Sequence, residues 1–102
     1  MKRLVLAFSI FMSCINIAFA GTHTGKIDLY HLNSDVSGRG VCIRMVPNLP
    51  GAGWACLWQN NPLYIEITDL LLEGFSTGRT CSVRWDRNDA NGALLINQAE
   101  CR

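Results

Sequence analysis

Four cysteines within residues 21–102 restrict the fold more than any other feature of the chain: Cys42, Cys56, Cys81 and Cys101. A segment of 82 residues is near the size at which a hydrophobic core alone barely sustains a fold, so covalent cross-links are expected. An even number of cysteines in a small exported domain is typical of two disulfides. A four-cysteine zinc site is disfavoured because the sequence has no C-x-x-C pair. We therefore predict two disulfides, no metal and no cofactor.

The N-terminus predicts export. Lys2 and Arg3 precede an apolar run over 4–19, and Ala18-Phe19-Ala20 forms a cleavage site of the small-x-small type. A membrane anchor is disfavoured because the run is shorter than the ~20 residues of a span and contains Asn16. We predict a signal peptide at residues 1–20, whose removal also removes Cys14. Residues 21–102 are then expected to form a single secreted or periplasmic domain with no membrane span.

The charge of the mature chain argues against nucleic acid as a partner. Of nine Lys and Arg residues, two lie in the leader, which leaves seven against eight Asp and Glu residues, a formal charge of −1. Binding to phosphate backbones depends on clusters of Lys and Arg, and the sequence contains no such cluster.

The hydrophobic pattern predicts five strands and one helix. Alternating apolar and polar residues indicate strands at 25–32, 41–46, 54–59, 80–85 and 94–101. Between the third and fourth strands, Asn61 and Pro62 suit the start of a helix that runs to about Ser76, and Gly78 suits its left-handed end. The fold class is mainly β with one helix.

Hairpin geometry favours one disulfide pairing. Cys42 and Cys56 are equally distant from a Pro-Gly turn, and Cys81 and Cys101 are equally distant from the turn around Asn91. Each pair would face its partner across a hairpin and stabilise the fold by about 3 kcal/mol. The pairing of Cys56 with Cys101 and Cys42 with Cys81 stays open, because bridges across a hairpin are geometrically tight.

The helix predicts a surface for self-association. At 100° per residue, one arc faces the core: Leu63, Ile67, Leu70, Leu71 and Phe75. Ile65 and Leu72 lie nearly opposite this arc. They are candidates for an oligomer interface, unless loops or the chain ends cover them.

Three strands, a helix and two strands is the element order of an OB-fold, a five-stranded Greek-key barrel. The chain also resembles the B subunits of pentameric bacterial toxins, most closely the subtilase-cytotoxin and pertussis-like binding subunits. The segments that carry the resemblance are His23-Thr24-Gly25-Lys26-Ile27-Asp28, Val41-Cys42-Ile43, Leu63-Tyr64 with Leu70-Leu71-Leu72, and Gly78-Arg79-Thr80-Cys81-Ser82-Val83. The resemblance implies a homopentamer with helices around a central pore, a glycan-binding surface and a separate enzymatic A chain. It assigns no individual sugar-binding residue.

The sequence does not predict an enzyme. Its two histidines, His23 and His31, stand near the start of the mature chain, and oxidised cysteines would leave no thiolate nucleophile. Strand alternation places His31 on the same face as Ile27, which favours a packed or rim histidine. Glu66, Asp69 and Glu73 form a solvated stripe on the helix.

Aromatic residues supply the candidate ligand-binding positions. Trp54 and Trp58 flank Cys56 on one face, and the hairpin register places Arg44 opposite Trp54 for a cation–π contact. Either the rings pack on the disulfide, or one is exposed to a sugar. Tyr30, His31 and Asn33, at the end of the first strand, form a second candidate rim, whose alternative is an ordinary loop.

We therefore expect a secreted, oligomeric, non-enzymatic subunit that binds a host or bacterial glycan. The alternatives are a periplasmic or secreted protein-binding module, such as an enzyme inhibitor, and a purely structural domain.

Overall fold

The computed structural model describes residues 20–102. Its elements are β1 (Gly21–His31), β2 (Arg39–Val46), β3 (Ala55–Trp58), α1 (Tyr64–Thr77), β4 (Thr80–Asn88) and β5 (Leu94–Cys101). The prediction of a mainly β chain with one helix between the third and fourth strands is confirmed. The leader lies outside the described residues except for Ala20, so its cleavage stays a prediction.

The five strands form a closed ring in the order β1-β2-β3-β5-β4. The long strand β1 closes it, because residues 21–26 pair with β4 and residues 26–31 pair with β2. All neighbours are antiparallel except β3 and β5, which run parallel over two residue pairs. The contact that closes the ring between β3 and β5 is its shortest, since it joins only Ala55 with Leu94 and Cys56 with Leu95.

Strand β1 differs from its prediction in two ways. It begins at Gly21, four residues early, because Gly21 to Lys26 pair with β4. It also contains a bulge, since Ile27 pairs with Met45 whereas Leu29 pairs with Arg44. The extra residue reverses the alternation of faces after Ile27.

Alternate residues of the strands fill the interior of the ring. Val41, Ile43 and Met45 of β2 and Val83 and Trp85 of β4 are almost completely buried. Burial of each such side chain is worth about 1.5–3 kcal/mol. The strand patterns that predicted these inward faces are confirmed.

Two disulfides, Cys42–Cys56 and Cys81–Cys101, staple two hairpins. This is the pairing that the hairpin symmetry favoured. The cysteines face each other directly in the ladders, in both cases with Cα atoms 4.0 Å apart. The first bridge lies outside the main core, whereas Cys81 belongs to that core beneath the helix.

Helix α1 begins at Tyr64, two residues after the predicted start. Just before the helix, the side-chain oxygen of Asn61 accepts a hydrogen bond from the Leu63 amide at 2.8 Å. Gly78 ends the helix with φ 68°, as predicted. The Lys26 ammonium group donates to the Gly78 carbonyl at 2.6 Å, which places a positive charge at the negative end of the helix.

The core face of α1 is narrower than the predicted arc. Ile67, Leu71 and Gly74 are buried, whereas Leu63 and Phe75 are exposed, so the prediction for these two was wrong. Gly74 lies within this face and makes the closest approach to the sheet: a Cβ at this position would lie 2.9 Å from the sulfur of Cys101 and closer still to that of Cys81. The helix therefore rests on the second disulfide through its glycine.

Within residues 20–102 no helix has the length and apolar character needed to cross a membrane.

Candidate functional site

A groove on the outer face of β2 and β3 gathers several sequence-predicted residues. It has a volume of about 280 Å³. Its lining residues are His31, Arg39, Cys42, Trp54, Cys56, Asn91 and Ala93, and we call it the disulfide groove. The groove runs between the β1–β2 loop and the β4–β5 turn, with the first disulfide in its floor.

Trp54 is the aromatic centre of this groove. Its partly buried ring packs against Cys42, Cys56 and Ala93. The Arg44 guanidinium carbon lies 4.9 Å from the Trp54 ring centroid, the cation–π contact that the register predicted. The His31 ring lies 5.4 Å away, tilted by 54°. The Trp54 ring therefore covers the disulfide and also lines the groove.

His31 reaches the groove because of the bulge in β1. The bulge puts Leu29 and His31 on the outer face, whereas Ile27 points into the core. The expected shared face of His31 and Ile27 is therefore wrong.

Tyr30 does not belong to this groove. It packs against the main core, stacks on Phe75 of α1 with centroids 5.9 Å apart, and donates a hydrogen bond to the Thr68 carbonyl. Burial and the nearby Tyr64 and Asp69 raise the pKa of its hydroxyl. The predicted rim of Tyr30 with His31 is therefore split between opposite faces of the strand.

Trp58 lies beyond the disulfide groove, at the other end of β3. Its indole Nε1 donates a hydrogen bond to the Asp89 carboxylate at 3.1 Å. Its ring also covers Gly38, where a Cβ would come within 3.2 Å of it. Trp54 and Trp58 share the outer face as predicted, but they line different concave surfaces.

Asp89 organises the site, and the sequence interpretation missed it. One carboxylate oxygen accepts hydrogen bonds from the Arg39 guanidinium at 2.9 and 3.3 Å and from Trp58. The other accepts from the backbone amides of Asn91 at 2.8 Å and Ala93 at 3.0 Å. The carboxylate thus connects the β4–β5 turn to the start of β2 and the end of β3. The local signal was an aspartate that opens a turn and bonds to an amide two residues on.

The environment of Asp89 favours its charged form. Burial raises the pKa of the carboxyl, but hydrogen bonds from Trp58, Asn91, Arg39 and Ala93 outweigh burial and leave this pKa below its ordinary value. The pair with Arg39 is shielded from water, since the side chain of Asp89 is 1% exposed and that of Arg39 is 13% exposed.

The candidate interface residues of α1 are exposed. Ile65 is 70% exposed and Leu72 is 45% exposed. Within the described residues neither loops nor the C-terminus cover them.

The described residues hold no group of three or more His, Cys, Asp or Glu side chains arranged to bind a metal ion. No known family model, no characterised protein and no solved structure matches the chain.

Proposed function

We propose that this chain is an OB-fold binding module that recognises a glycan through the disulfide groove. The strand order β1-β2-β3-β5-β4 with a helix between β3 and β4 supports the OB-fold assignment. OB-folds bind oligonucleotides and oligosaccharides on the face of strands two and three, flanked by the loops that join strands one to two and four to five. The position of the disulfide groove on this face is the observation that carries the proposal.

The chemistry of the groove suits a sugar better than nucleic acid. Trp54 offers an aromatic surface for the C–H face of a pyranose ring, and His31, Arg39 and Asn91 offer polar groups at its edge. One aromatic ring and a mature chain of charge −1 would serve a phosphate backbone poorly, because such binding needs many cations.

The proposal describes a binding protein and not an enzyme. All four cysteines of the described chain are in disulfides, so none can supply a thiolate. His31 is packed beside Trp54, and the Asp89 carboxylate is occupied by Arg39, Trp58 and two backbone amides. These contacts suit fixed recognition groups more than a nucleophile with its base.

We further propose that the chain is exported and assembles with copies of itself. The two disulfides are compatible with an oxidising compartment, either the periplasm or the extracellular space. The exposed Ile65 and Leu72 supply an apolar helix face for a second copy. A pentamer with a separate enzymatic A chain is the assembly that the resemblance to toxin B subunits implies.

A glycan array with matched variants tests the binding proposal. We expect the folded protein to bind a restricted set of glycans, and Asn91→Ala and His31→Ala to weaken binding by roughly 2- to 12-fold, the range for loss of one hydrogen bond. Gln98→Ala, which removes an exposed amide on β5 outside the groove, is the control and should bind as the parent does.

An array that stays silent for a folded protein would refute glycan binding. The alternative, a protein-binding module such as an enzyme inhibitor, would then be the better account.

A further inference from the structure

A second concave surface lies beside the same β4–β5 turn. It consists of two adjoining depressions of about 260 and 250 Å³ that share four lining residues. We call it the amide cleft and define it by Trp58, Asn60, Arg87, Leu95 and Asn97. It shares none of these residues with the disulfide groove.

Trp58 gives the amide cleft a rigid aromatic wall. Its Nε1 hydrogen bond to the nearly buried Asp89 and its contact over Gly38 hold the ring in one orientation. The ring is only partly buried and lines both depressions. A side chain that is already fixed loses little conformational entropy when a ligand packs on it.

The polar groups of the amide cleft are free to bind a ligand. Asn60 and Arg87 are exposed, and within residues 20–102 their side chains form neither a hydrogen bond nor an ion pair. Asn97 donates one amide hydrogen to Asp86 at 2.6 Å, which leaves its other amide groups available. Amides offer donors and acceptors together, the combination that sugar hydroxyls require.

We propose that the amide cleft is a second carbohydrate site, one that takes a neutral hexopyranose unit. The C–H face of the sugar packs on Trp58, and its hydroxyls bond with Asn60, Asn97 and the Arg87 guanidinium. A neutral ligand fits better than an anion for two reasons. Arg87 is the one cation among the residues that line the cleft. The Asp86 carboxylate, which accepts a hydrogen bond from the lining residue Asn97, places a negative charge beside the cleft.

This inference goes beyond the proposed function because the second site needs no ligand in the disulfide groove. The two sites stand on either side of the Asp89 turn, since Asp89 bonds to Arg39 in one and Trp58 in the other. A branched or extended glycan would therefore meet two separate aromatic contacts on one subunit.

Titration of the ¹⁵N-labelled protein with simple sugars tests the second site. The probes are the methyl glycosides of glucose, galactose and mannose, and the readout is the three indole N–H resonances, those of Trp54, Trp58 and Trp85. We expect at least one probe to shift the Trp58 resonance in a saturable way. Asn60→Ala and Arg87→Ala should each weaken this response by roughly 2- to 12-fold.

Two control variants separate this inference from the proposed function. Asn91→Ala changes only the disulfide groove, so the Trp58 response should keep its affinity. Arg84→Ala removes an exposed arginine of β4 outside both surfaces and should have no effect on either.

Three outcomes would overturn the second site. One is a Trp58 resonance that no probe moves. Another is a response confined to Trp54, which would uphold the disulfide groove alone. The third is a Trp58 response that Asn91→Ala weakens as much as Asn60→Ala does, because this would indicate one shared site.

Discussion

Replacement of Asp89 by alanine should destabilise the protein more than any other single change of a charged residue. Its side chain is 1% exposed, and it accepts hydrogen bonds from Arg39, Trp58 and the amides of Asn91 and Ala93. The Arg39 side chain is only 13% exposed beside Asp89, and Asp89→Ala would leave its guanidinium without this carboxylate. Breaking a buried pair in this way costs about 3–5 kcal/mol. That is at least a fifth of the ~5–15 kcal/mol that stabilises a typical domain.

A double-mutant cycle isolates the interaction of Asp89 with Arg39. The cycle compares Asp89→Ala, Arg39→Ala and the double variant, and a strong buried pair should give a coupling energy above ~1 kcal/mol. The matched control is the pair of Glu73 and Arg79, whose charged atoms are 3.6 Å apart and whose side chains are about half exposed. Such surface pairs couple by only about 0.2–1 kcal/mol.

Urea unfolding under non-reducing conditions, followed by circular dichroism, supplies the free energies. Circular dichroism is preferable to fluorescence because Trp58 contacts Asp89 directly, so that the substitution itself would change the fluorescence of Trp58. A cost of less than ~1 kcal/mol for Asp89→Ala, or a coupling to Arg39 no larger than that of the surface pair, would contradict a strong buried ion pair at this position.

The pKa of Asp89 is lower in the folded state than its unfolded value of about 3.9. The contribution of Asp89 to the free energy of unfolding is therefore complete above this pH and is lost as pH falls through the folded pKa. Urea unfolding at a series of pH values should show that the parent loses its greater stability over Asp89→Asn in acid. Gly74→Ala should lower the free energy of unfolding by about 1–3 kcal/mol, because the new methyl group would clash with both sulfurs of the second disulfide. This holds although alanine stabilises an isolated helix by ~1 kcal/mol relative to glycine. A stabilised variant in the same unfolding assay would contradict this prediction. Ile65→Lys or Leu72→Lys should reduce the native mass measured by light scattering if the exposed helix face joins subunits; a parent that is already monomeric would refute the interface.

Much of the fold could be predicted because its signals are local. The alternation of Val41, Ile43 and Met45 indicates a strand with one buried face, and the structure buries all three. Gly78 ends the helix where a left-handed residue is required. The pairing of Cys42 with Cys56 followed from the positions of the two residues about one turn. Each of these inferences needs only neighbouring residues and one hairpin.

The candidate site was only partly predictable, because it depends on contacts between distant segments. Trp54 and Arg44 were found together since a single hairpin aligns them. The carboxylate of Asp89 accepts hydrogen bonds from Arg39, which is 50 residues away in the sequence, and no local sequence pattern indicates this contact. Trp58 was identified as a ligand candidate, but its separation from the disulfide groove is visible only with the β4–β5 turn in place.

The periodicity of the chain was sufficient for the number and type of its elements, and the cysteine spacing favoured the observed disulfides without excluding the other pairing, because both signals depend on short-range geometry. The outward face of β1 beyond its bulge, and the width of the buried face of α1, were decided by tertiary packing. Pairing of β1 with two different strands is accompanied by a bulge that turns His31 outward, and the close approach of α1 to the second disulfide is compatible only with Gly74 at the contact. Such choices are made by packing between segments that are far apart in sequence, where the fit of one surface on another outweighs the preference of any single residue.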